Sequence, residues 1–71
     1  MYIVQEIQTD NNQTALLPAE TYLDKNTAES AFHSKLGSAA ISAIDVHAVI
    51  LYDEHGNIVR SEYYEHLNEE E

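Results

Sequence analysis

Val46-His47-Ala48-Val49-Ile50-Leu51-Tyr52, Asp53-Glu54-His55-Gly56-Asn57 and Ile58-Val59-Arg60-Ser61-Glu62-Tyr63-Tyr64 read in succession as a strand, a turn and a returning strand. The outer segments are rich in β-branched and aromatic residues, which pack well on a pleated surface; the middle one holds the polar residues and glycine that reverse a chain. A three-residue loop, Glu54-His55-Gly56 with Gly56 left-handed, pairs Tyr52 with Ile58, Leu51 with Val59, Val49 with Ser61 and His47 with Tyr63. One face then carries Leu51, Val49, His47, Val59, Ser61 and Tyr63 and suits a covering helix. The other carries Val46, Ala48, Ile50, Tyr52, Ile58 and Tyr64 around an Arg60 and Glu62 pair, more apolar surface than a solvated face needs. Val46, Ile50, Tyr52, Ile58 and Tyr64 are therefore the candidate protein-interface residues, with Tyr64 the ring left over when Tyr63 enters the core. A two-residue loop at His55-Gly56 would slip the register and redistribute both faces.

Outward from the hairpin, Tyr2 to Thr9 alternates loosely enough for a half-buried strand, and Asp10-Asn11-Asn12-Gln13 ends it in a turn. Thr14 to Leu17 returns antiparallel as a short strand limited by Pro18, which has no N–H for a ladder, and Ala19 to Leu23 is read as a connector. Asn26 with Glu29 three positions on forms a variant capping box, Asp24 being the rival cap. From there Ala28, Ala31, Phe32, Leu36, Ala39 and Ala40 recur at helical spacing as one apolar stripe, with Glu29, His33 and Lys35 outside or at its margin. Phe32 is the largest member, and Gly37 is expected to break the helix early or mark a close contact. These elements predict one α+β domain over residues 1–67: two layers, ββαββ, a four-stranded mostly antiparallel sheet with one helix on one face. Residues 68–71 are expected to form a frayed acidic tail.

The 71 residues contain no cysteine, so no disulfide or thiolate metal site supports a core of this size, and oligomerisation is the expected support. The longest apolar run, Ala48 to Tyr52, is far below the ~18 residues of a membrane span. The opening Met1 to Glu6 lacks the basic and apolar regions of a signal peptide, and a cytoplasmic protein is expected. Thirteen acidic against three basic residues give a formal charge of −10, which disfavours nucleic acid and anionic lipid as partners.

No catalytic constellation emerges, and the chain reads as a non-enzyme without cofactor. His33, His47, His55 and His66 fall on a helix, a strand, a loop and a tail without paired ligand spacing, so no metal is expected. Asp53 to Asn57 is acidic but too short for a calcium loop. Ser34 adjoins His33, yet helix neighbours point in different directions and do not form a nucleophile and base pair.

Met1 to Thr9, Ala28 to His33 and Val46 to Asn57 together resemble short bacteriophage and prophage proteins of unknown function. The resemblance assigns no residue a role. It implies an accessory protein of a phage genome, either structural and virion-associated or an inhibitor of a host system. The leading expectation is a self-associating protein-interaction or structural protein. Its alternative is an acidic nucleic-acid mimic that inhibits a basic host protein through Glu62, Glu65 and Glu69 to Glu71.

Overall fold

A computed structural model describes residues 1–66. The expected tail, residues 68–71, lies outside the described residues. The chain runs β1 (Tyr2–Asp10), β2 (Gln13–Leu16), β3 (Glu20–Tyr22), α1 (Lys25–Ala40), β4 (Val46–Asp53) and β5 (Ile58–Glu65). All strand pairs are antiparallel in a five-stranded sheet ordered β2-β1-β4-β5, with β3 also paired to β1. The α+β class is as read; the strand count is five rather than four.

The extra strand corrects the reading of Ala19 to Leu23 as a connector. Asp10 and Gln13 close a tight turn in which Asn11 (φ 54°) and Asn12 (φ 65°) both adopt the left-handed conformation that asparagine tolerates. The returning chain loses its ladder around Pro18, then resumes it with Tyr22 opposite Tyr2 and Glu20 opposite Val4. β2 and β3 are thus one edge strand interrupted at proline. They run parallel to β4 on the far side of β1, a geometry that requires a crossover, and α1 supplies it.

Asp24, the rival cap, is the N-cap: its carboxylate accepts from the Thr27 N–H at 2.9 Å and the Thr27 hydroxyl at 3.2 Å. Gly37 does not end the helix, which continues to Ala40. Gly37 is exposed, and a Cβ built on it would meet no atom within 4 Å. Gly37→Ala is therefore expected to stabilise the fold by about 0.5–1 kcal/mol in a denaturant titration.

The helix lays Ala28, Phe32 and Ala39 against Val4, Val49 and Leu51 from the two central strands, with Tyr2, Tyr22, Ala31 and Leu36 packed around them. Side-chain alternation along β4 sends His47, Val49 and Leu51 to the helix and Val46, Ala48, Ile50 and Tyr52 to the opposite face. All eight β5 residues remain exposed, because the helix sits over β1 and β4 and leaves β5 largely uncovered.

Candidate functional site

The hairpin turn forms as read. Gly56 has φ 87° and donates its N–H to the Asp53 carbonyl at 3.0 Å, while Asp53 and Asn57 close the loop. The Asp53 carboxylate accepts from the Asn57 and His55 N–H groups, each at 2.9 Å, and these bonds, Asn57 foremost, hold its pKa below the usual aspartate value.

Beyond the turn the strand pairing departs from expectation. Tyr52 opposes Ile58, but Leu51 opposes Arg60, Val49 opposes Glu62, Ala48 opposes Tyr63 and His47 opposes Tyr64. One extra residue enters β5 at this shift, and a single added residue sends every later side chain to the other face. Five residues change face at that bulge, among them Ser61, which moves from the helix side to the open face opposite Ile50. Tyr64 lies on the helix side opposite His47, not among the open-face anchors. Tyr63, expected in the core, is on the open face and 61% exposed. Arg60 and Glu62 also face the helix, and Arg60 bonds Glu29 of α1 (Nε to Oε1, 3.0 Å) instead of Glu62.

The corrected open face is continuous across the sheet. β1 contributes Ile3, Gln5, Ile7 and Thr9, and β2 adds Thr14 and Leu16. β4 contributes Val46, Ala48, Ile50 and Tyr52, and β5 adds Ile58, Ser61, Tyr63 and Glu65. Four of the five candidate interface residues, Val46, Ile50, Tyr52 and Ile58, are therefore brought together. Leu16 and Ile58 are 66% and 65% exposed at its two sides. Its polar members pair locally: Gln5 accepts from the Tyr52 hydroxyl at 3.4 Å and donates to the Leu17 carbonyl at 3.1 Å, and the Thr9 and Thr14 hydroxyls meet at 2.9 Å. Among the described residues Glu65 is the only acidic or basic strand side chain on this face, although the chain carries thirteen acidic residues.

The opposite side of the sheet holds a polar cluster that spacing alone did not reveal. His47, 4% exposed, meets the Glu6 carboxylate at 2.7 Å through Nε2. The other Glu6 oxygen lies 3.4 Å from Lys35 Nζ, which reaches Glu20 at 3.3 Å, and Glu20 accepts from the Tyr22 hydroxyl at 2.7 Å. Burial pulls the Lys35 pKa down, but its bonds to Glu20 and Glu6 outweigh that and raise it. The Tyr22 hydroxyl and then Lys35 lower the Glu20 pKa, while the same Glu20 bond raises that of Tyr22. The cluster ties α1 to β1, β3 and β4.

An open groove of about 380 Å³ separates α1 from β5, with Phe32, Leu36, Val59 and Tyr64 as its apolar walls and Arg60 and Glu62 at its margin. His66, read as part of a tail, is anchored: its N–H donates to the Asp45 carbonyl at 2.7 Å, and Nε2 lies 2.8 Å from the Ala39 carbonyl at the helix end. Glu62 and Glu65, assigned to one acidic surface, project from opposite faces of β5; Glu69 to Glu71 lie outside the described residues. Among the described residues no group of three or more His, Asp or Glu side chains could hold a metal ion, and no helix is long and apolar enough to cross a membrane.

No family model matches the chain, and neither does any curated protein or solved structure.

Proposed function

We propose that this protein is non-enzymatic and works by self-association, with the open sheet face as its contact surface and Val46, Ile50, Tyr52, Ile58 and Tyr63 as the anchors. The observation that carries this reading is the near-absence of charge, Glu65 apart, from the described residues of one sheet face in a chain whose formal charge is −10. Interface cores are depleted of ionised side chains and enriched in tyrosine, whereas a solvated face of so acidic a protein has no reason to exclude carboxylates. An identical face on a second copy matches it in polarity, and stacking two such faces would bury the apolar side chains that α1 leaves uncovered.

The cysteine-free composition suits a reducing cytoplasm, and the phage resemblance supplies the proposed setting, a small structural or accessory protein in a host cell. Ile50→Glu places a carboxylate at the centre of the face. It is expected to lower the mass measured by light scattering while far-UV circular dichroism stays native. An unchanged mass would refute the face as the contact.

A further inference from the structure

The two edges of the sheet are built differently. On one side β2 and β3 are short and separated at Pro18, a break that discourages another strand from adding there. On the other, β5 runs for eight residues without proline or lysine. Its backbone polarity follows from the ladder. The His66 N–H bonds Asp45 in continuation of the Val46 and Glu65 pair. Residues of an antiparallel strand alternate between bonding their neighbour and pointing away, so Tyr64 and Glu62 bond β4 while Glu65, Tyr63 and Ser61 present N–H and C=O groups to an edge that no described strand pairs with.

We propose that a second copy of this chain pairs antiparallel along β5 about a two-fold axis at Tyr63, joining the two sheets into one. Tyr63 then opposes its own counterpart, and Ser61 opposes the partner's Glu65. Every outward N–H and C=O group of Ser61, Tyr63 and Glu65 finds a partner. No carboxylate opposes another, since Glu62 comes opposite the partner's Tyr64. Arg60 comes opposite the partner's His66, each held within its own chain by Glu29 and the Ala39 carbonyl. Registers shifted toward the turn are worse. An axis at Glu62 sets that carboxylate against itself, and like charges directly across a ladder destabilise it. An axis at Ser61 drives Tyr63 onto Val59, where the shifted register has already disturbed the strand.

This contact deepens the self-association reading, on which it rests, by adding an edge to the face. Face and edge together close a four-copy assembly of two edge-paired dimers stacked on their open faces. Ser61→Pro removes an outward N–H without breaking a bond to β4, and should halve the wild-type mass in light scattering while the circular dichroism spectrum stays native. Because the chain has no cysteine, Tyr63→Cys provides a second readout. Directly opposed residues of a bonded pair lie about 5.5 Å apart at Cα, within the span of a disulfide. With diamide as oxidant Tyr63→Cys should cross-link at least about tenfold faster than Glu62→Cys, which has no counterpart opposite it.

Equal cross-linking rates, or a folded Ser61→Pro of wild-type mass, would overturn the edge contact. If Ser61→Pro does not fold, the cysteine pair decides. Loss of assembly in Ile50→Glu but not in Ser61→Pro would leave the face and refute the edge, and the reverse would leave the edge and refute the face. A wild-type monomer would overturn both.

Discussion

Phe32→Ala is expected to cost about 3–5 kcal/mol, enough to leave an isolated protomer largely unfolded at 25 °C. Phe32 is 1% exposed and is the only large side chain that the helix buries fully; the other buried helix residues are Ala28 and Ala39. Truncating it opens a cavity against Val4, Val49 and Leu51, whose sheet positions cannot close around the gap without bending the central strands. A core in a chain of this size supplies about 3–5 kcal/mol in all, so this one substitution is comparable with the whole margin. Urea unfolding followed by circular dichroism measures the loss. Leu36→Ala, at a half-buried position on the same stripe, should cost clearly less. Equal losses would show that the core is not centred on Phe32.

Glu6→Ala is expected to have the next largest effect, about 1–3 kcal/mol. Its carboxylate is the one acceptor shared by His47 and Lys35, and the His47 Nδ1 atom already has no partner. Without Glu6, the buried imidazole loses its 2.7 Å bond to a carboxylate. The same cluster, together with Asp53 of the hairpin turn, sets a pH dependence. The Lys35 and Tyr22 pKa values are raised, so what they add to stability is complete below their unfolded values and disappears as pH rises through the folded ones. The Glu20 and Asp53 pKa values are lowered, so their contribution is complete above the unfolded values and disappears as pH falls through the folded ones. The melting temperature should therefore fall at acid pH as Glu20 and Asp53 take up protons and at alkaline pH as Lys35 and Tyr22 lose theirs. Lys35→Met should flatten the alkaline fall. An alkaline fall of unchanged size in that variant would remove Lys35 from the account.

The sequence was most legible where chemistry is local. Two asparagines at left-handed positions, Gly56 in the hairpin loop and the stripe through Phe32 each carry their reason within a few residues, whereas both Asn26 and Asp24 satisfy the local rules for a cap and only the bond to Thr27 separates them. Long-range register was less legible. Nothing local in Ile58-Val59-Arg60 announces an added residue, yet that addition exchanges the faces of Tyr63 and Tyr64 and turns Arg60 toward Glu29. The polar cluster was illegible for a related reason: Glu6, Lys35 and His47 are distant in sequence and meet only when α1 crosses the β1 and β4 pair. Val46, Ile50 and Tyr52 were placed correctly because they precede the bulge, and Ile58 because it lies on the turn side of it.

Self-association is tested most directly by light scattering of the wild-type chain across a concentration series. It predicts a mass of four chains, with dimers as the only smaller assembled species on dilution. A mass of one chain at every concentration would contradict it.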